Sequence, residues 1–381
     1  MPHFHFSRLS HQPQARQVGF SLIELLVAML IGLITVVVVA QVMLMTESRK
    51  RTATSGSDAN VTDSMALFTI ERDARNAGFG MSVGSLGCQI RAKFGNTTTI
   101  TYTMAPVVIT QGDNGAPDTI SFASSAKDGV PMPVNVTVDH PQTATNFFVQ
   151  SDLGITEGDI MIAVPPPGSP DWCSVFQVTN DTSTGGGGGG GQGQNQVLHN
   201  SGLSPWNQAG GQTIFPDAGY PQGSTLVNMG AMSMRAYSIA NNSLRLTWLD
   251  TTDGTNKTRD LYPDVIQLQA EYGLDDLSTP LVQVTTWTTT TPTSPAEWQA
   301  VKAIRLAVVA RSNVYEKEVV TQAGSGATYS ECRNANPRAV CWAGGAINEL
   351  NANNAAADDW QHYRYRVYEN VIPIRNVIWQ Q

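Results

Sequence analysis

From Phe20 to Met45 the chain runs 26 residues with one charge, Glu24. That pattern predicts a helix able to span a bilayer. At Thr46 the sequence turns polar, with Glu47, Arg49, Lys50 and Arg51. Apolar positions then recur at helical spacing: Val61, Met65 and Phe68, with Leu67, Ile70 and Ala74 widening the stripe. Asp63, Glu71, Arg72, Asp73 and Arg75 are assigned to the polar face, and Gly78 and Gly80 are stop signals. The pattern predicts one helix from about Phe20 to Ala77. Its first part (20–45) is transmembrane and its continuation (46–78) amphipathic, with a break at Thr52–Ser57 as the alternative, since Thr, Ser and Gly56 weaken helix propensity there.

Beyond about residue 95 the pattern changes to short β-like runs between turns. Strands are expected at Thr97–Thr103, Thr119–Ala123, Val134–Val138, Ile160–Val164, Leu244–Trp248, Val265–Tyr272, Val301–Ala310 and Tyr363–Tyr368, followed by Val371–Ile378. Residues 181–196 hold seven consecutive glycines, Gly185–Gly191, and read as a flexible loop. No Lys-Ser/Thr follows them, which disfavours a phosphate-cradling role. Residues 345–359 read as a polar surface segment. The predicted class is α+β: a long N-terminal helix, its second half packed on a β-rich globular domain spanning 79–381.

A lone carboxylate in an apolar span costs roughly 2–4 kcal/mol and needs a partner or a purpose. Residues 1–19 carry Arg8 and Arg16 and no acidic residue, a flank that stays cytoplasmic by the positive-inside rule. In a secretory signal the small cleavage-site residue follows the apolar core; here Gly19 precedes it. Cleavage after Gly19 would remove a leader (1–19), leave the span on the mature chain, free the α-amino group of Phe20 and place Glu24 at the fifth mature position. An uncleaved signal anchor, with Glu24 snorkelling to the interface, is the alternative.

Gly19-Phe20-Ser21-Leu22-Ile23-Glu24 resembles the class III signal of type IV prepilins at each of its marked positions. The resemblance implies cleavage between Gly19 and Phe20 by a membrane prepilin peptidase, and N-methylation of Phe20 by the same enzyme. It further implies that Glu24 faces the N-terminal amine of a neighbouring subunit. An ion pair in a low-dielectric helix bundle can set register, because an unpaired charge there is penalised.

Only 14% of residues are charged, and Gly, Pro, Thr, Ser and Asn are plentiful, as in loop-rich extracytoplasmic β proteins. The formal charge is −8, and −10 once the two leader arginines are gone. An acidic mature domain with no basic cluster argues against nucleic-acid binding. Four cysteines, Cys88, Cys173, Cys332 and Cys341, suit an oxidising compartment and allow three pairings. Cys332–Cys341 is favoured because its loop is short and holds Asn336-Pro337; Cys88–Cys173 follows by elimination. A zinc site is disfavoured by the spacing and by the absence of a nearby histidine.

No catalytic motif is present, so no enzyme and no cofactor is expected. His140, His199 and His362 read as separate surface or turn histidines. Asp250-x-x-Asp253-Gly254-x-Asn256 and Asp358-Asp359 could be calcium loops, with polar turns the favoured reading. Trp287, Trp298, Trp342 and Trp360 could form a sugar- or protein-binding face; core or loop anchoring is favoured.

Ile266–Asp275, Val301–Ser312, Arg72–Phe79 with Cys88, and Tyr365–Tyr368 through Asn376 are similar to PilW-type minor pilins. That resemblance implies a single-pass inner-membrane protein with a periplasmic domain that primes pilus assembly and ends near the filament tip. Its implied partners are other minor pilins, the major pilin, the inner-membrane assembly platform and a tip adhesin. A type II secretion pseudopilin shares the N-terminal logic, and a membrane-anchored adhesin or enzyme with a prepilin-like signal is a third reading.

Overall fold

One helix, Leu22–Asn76, runs 55 residues without a break at Thr52–Ser57. The computed structural model describes residues 19–95, 99–129, 131–179, 195–207, 213–278, 281–350 and 359–378, with backbone alone at 48–49 and 51–60. The leader up to residue 18 and the glycine tract 181–194 lie outside the described residues. The chain divides into two units, Met1–Thr54 and Ser55–Gln381.

In the first unit the segment Leu22–Glu47 is long and apolar enough to cross a membrane, and none of it is buried. Its hydroxyls are satisfied within the helix. Thr35 Oγ1 donates to the Ile31 carbonyl and Thr46 Oγ1 to the Val42 carbonyl, each at 2.8 Å. Such back-bonding lets threonine sit in an apolar run without a free donor.

In the second unit the helix buries Asp63, Ala66, Leu67, Ile70, Ala74 and Ala77. These fall at i, i+3, i+4, i+7, i+11 and i+14, one helical face. Alanine keeps the backbone close to the sheets, and the fully buried Ile70 contributes roughly 1.5–3 kcal/mol. The expected stripe is thereby corrected: Val61, Met65 and Phe68 are 53–67% exposed on another face. The assignment of Asp63 and Asp73 to the polar face is corrected too, since both are buried.

Three larger sheets build the domain. A mixed six-stranded sheet runs Ile100–Thr103, Gln89–Ala92, Cys173–Gln177, Ile160–Val164, Thr225–Gly230, Val134–Asn135. An antiparallel five-stranded sheet runs Thr255–Pro263, Ser243–Asp250, Ser233–Ala240, Thr119–Ser124, Val107–Thr110. An antiparallel four-stranded sheet runs Thr286–Thr288, Val265–Leu274, Val301–Arg311, Tyr365–Pro373. The helix face shares one core with Ile109, Tyr237, Leu268 and Leu306 of the last two sheets. A second, aromatic core surrounds Phe147, Phe176, Phe215 and Tyr220.

Two local expectations are overturned. Val371–Ile378 is not one extended run, because Pro373 cannot donate to the ladder and the chain turns into the helix Arg375–Ile378. There Asn376 Nδ2 donates to the carbonyls of Asn76 (3.3 Å) and Ala77 (3.0 Å), capping the long helix. Residues 345–350 are surface only in part: Gly345–Ile347 pairs with Val340–Trp342, and Gly345, Ile347 and Leu350 are buried, while Asn348 and Glu349 are exposed. Residues 351–358 of that segment lie outside the described residues.

Neither carboxylate oxygen of Asp63 makes a hydrogen bond of normal geometry. Burial pushes its carboxyl up to about 8, opposed only by the Ala310 backbone. The native state therefore holds Asp63 protonated at neutral pH, while the unfolded chain ionises it near pH 4. This costs stability progressively as pH rises from about 4 to about 8. Asp63→Asn is expected to raise the thermal midpoint at pH 7 by a few degrees and to flatten the pH dependence across that window. An unchanged midpoint at pH 7 would contradict this account of the helix face.

Candidate functional site

Gly19, Phe20 and Ser21 lie just before the long helix, and the Ser21 carbonyl accepts from the Leu25 amide at 3.1 Å. Phe20 is 84% exposed, and nothing lies within 4 Å of a Cβ built on Gly19. Glu24 stands exposed in the first helical turn, where a negative charge complements the helix dipole. Ala28, Gly32 and Ala40, small positions along the same span, are exposed as well.

Farther along, Asp73 fastens the helix to the five-stranded sheet. It accepts from Tyr237 Oη at 2.6 Å and from Arg235 Nη1 at 3.1 Å. Thr69 Oγ1 meets Tyr262 Oη at 2.9 Å one turn earlier. Charge-assisted bonds of this kind hold a register that apolar contact alone leaves loose.

The cysteines pair as Cys88–Cys173 and Cys332–Cys341, with Cα separations of 6.0 and 5.9 Å. The first ties the turn after the helix to a central strand. With a sequence separation of 85 against 9 for the second, it restricts the unfolded chain more: about 4–5 kcal/mol against about 2.7 kcal/mol in the chain-entropy model.

His140 and His199 are not separate surface histidines. Their Nε2 atoms lie 2.9 Å apart inside the aromatic core, and both rings are buried. His140 stacks on Phe147 with centroids 3.7 Å apart. They meet because Asn146–Val149 pairs with Asn195–Leu198 and because His140 bridges Tyr220. The dense aromatics Phe147, Phe148, Phe176, Phe215 and Tyr220 were the available signal. His362 is half-buried, its Nδ1 2.9 Å from the Glu316 carbonyl.

The acidic loop is a turn. Asp250 Oδ1 accepts from the Thr252 amide and hydroxyl, and Asp253 Oδ1 from those of Thr255. Asp253 also pairs with Lys257, which holds its carboxyl at about 2. Asp358 lies outside the described residues, and Asp359 opens a short 3-10 turn. The tryptophans do not share an exposed face. Trp298 is buried edge-on to Tyr272, and Trp342 is buried beside Arg305, which also lies over Trp287.

Residues 231–376 match the model of the family described as Type IV Pilus-assembly protein W. The match takes in three strands of the five-stranded sheet and the whole four-stranded sheet. A type IV-like pilin from Thermus thermophilus is similar in structure, with 9% identity, a TM-score of 0.33, and coverage of 84% of this chain and 97% of that one. No curated protein matches the chain.

Burial lowers His140 to about 4 and His199 to about 3, the latter helped by repulsion from His140. The unfolded chain takes up these protons near pH 6.5, so their contribution to stability is present above about pH 6.5 and is lost as pH falls toward 4. Unfolding followed by near-ultraviolet dichroism should show the protein weakening across this window. The double variant His140→Phe/His199→Phe should weaken much less; equal acid sensitivity would show that the pair is not its source.

Proposed function

We propose that this chain is a minor pilin of a type IV pilus, made as a prepilin, cut between Gly19 and Phe20 and methylated at Phe20. The observation that carries the reading is the exposed pair Gly19 and Phe20, followed by Glu24 and by the apolar segment Leu22–Glu47, none of which is buried. A cut at that junction leaves the anchor on the mature chain. It also creates an ammonium group of the sign that Glu24 needs. In a bundle of such helices, the Phe20 amine of one subunit neutralises the carboxylate of the next. Desolvation penalises every register that leaves either group unpaired.

The rest of the molecule fits that role. Val61, Met65 and Phe68 present an apolar stripe on the helix beyond the span, available to a neighbouring subunit's helix. The acidic, disulfide-bonded domain suits the periplasm. A domain of this size on a helix built for dense packing would crowd a repeating shaft, and it is accommodated at a filament end. Partners in this reading are other minor pilins, the major pilin, the prepilin peptidase and the inner-membrane platform, with a tip adhesin above. The chain acts by assembly and carries no chemistry of its own.

Glu24→Ala in cells is expected to leave membrane insertion and leader cleavage intact. Co-purification with partner pilins should drop at least about tenfold, with a matching fall in surface filaments. Unchanged co-purification and piliation would sink the ion-pair mechanism. Unchanged piliation together with defective protein secretion would favour the pseudopilin reading.

A further inference from the structure

The helix covers only part of the sheet beneath it. Asp73 accepts from Arg235 and Tyr237, and Thr69 meets Tyr262, so the face of the five-stranded sheet that bears these partners lies under the helix. Strand pairing sets two rows of side chains on that face: Arg235, Trp248 and Lys257, and Tyr237, Leu246 and Arg259. A helix is about 10 Å across and five strands span roughly 20 Å, so one helix leaves a strip of the sheet open. The strip lies toward the edge strand Thr255–Pro263, where Leu246 and Trp248 are half-buried and Arg259 is exposed.

The helix flank beside this strip is apolar and basic. Met65 and Arg72 stand four residues before and three after Thr69, on the flank that Thr69 turns to the sheet. Val61 and Phe68 widen it, and Val61, Met65 and Phe68 are all exposed. Arg72 and Arg235 share the one carboxylate of Asp73, at 3.5 and 3.1 Å. Arg259 makes no ion pair among the described residues, whereas Lys257 is answered by Asp253 and Asp250 at the turn. Three guanidinium groups thus meet one carboxylate, on a mature chain whose formal charge is −10. Tryptophan and arginine are side chains that anchor protein interfaces. A ridge of apolar residues at helical spacing packs against a second helix at about 8–10 Å between axes.

We infer that this strip receives an acidic amphipathic helix of a neighbouring pilin subunit, laid beside the chain's own helix. The apolar side of the incoming helix meets Met65, Phe68 and Trp248, and its carboxylates meet Arg72 and Arg259. The inference rests on the pilin reading for the kind of partner and goes beyond it in naming the docking face and the partner's charge.

The test places the photoreactive residue p-benzoylphenylalanine at position 248 of the full chain in cells. A control chain carries it at position 258, since Thr258 points to the opposite face of the same edge strand. After irradiation the cross-linked peptides are identified by mass spectrometry. Position 248 is expected to cross-link to a helical segment of a pilin that carries more acidic than basic residues, and position 258 is not. Arg259→Glu should lower the yield about tenfold, by setting like charges against each other, and Arg259→Lys should keep it. Equal products from both positions overturn the proposal, and so does an Arg259→Glu yield equal to that of the wild type. A product with a lipid, a glycan, a segment that is not acidic or a protein without a prepilin signal overturns it too. If the chain labelled at 248 does not fold, position 257 on the same face takes its place. No product from this face, with N-methylated Phe20 present in filaments, overturns the docking site and leaves the pilin reading standing. An unprocessed N-terminus tells against the pilin reading whatever is cross-linked.

Discussion

One helix has to be stable against two kinds of surroundings, and the other features follow from how it manages both. Over Leu22–Glu47 it exposes apolar side chains on every side, with its backbone bonds and threonine hydroxyls closed internally. Such a surface is tolerable in lipid and not in water. Over residues 61–77 the same helix has one face of small and branched residues set into the sheets. The Asp73–Arg235–Tyr237 bonds and the Asn376 cap fix where that face lies. The domain is therefore fastened to the second part of a helix whose segment Leu22–Glu47 is long and apolar enough to cross a membrane.

The apolar span was legible because 26 residues with one charge admit few other structures. Ile160–Val164 and Val301–Arg311 were legible for a related reason: both faces are buried, so the run is continuously apolar. Ser233–Ala240 and Thr255–Pro263 were not, because their mixed exposure leaves no clean alternation. The helix Pro295–Ala300 was hidden behind its prolines, although Ser294 and Glu297 form a capping box around it. On the long helix, periodicity gave the apolar positions but not which face turns inward. Alanines at 66, 74 and 77 decide that by close approach, which hydrophobicity scarcely registers.

Of the candidate site, the Gly19–Glu24 signal stands in local sequence, whereas the histidine pair is a product of topology. His140 and His199 are 59 positions apart and meet only through pairing of strands around an aromatic core.

The central claim is that the mature protein begins at Phe20 and travels into the filament. Mass spectrometry of filaments sheared from cells tests it most directly. The account predicts a peptide beginning at N-methylated Phe20, present at a small fraction of the major pilin. An unprocessed N-terminus, or a methylated chain found only in the membrane fraction and never in filaments, would contradict it.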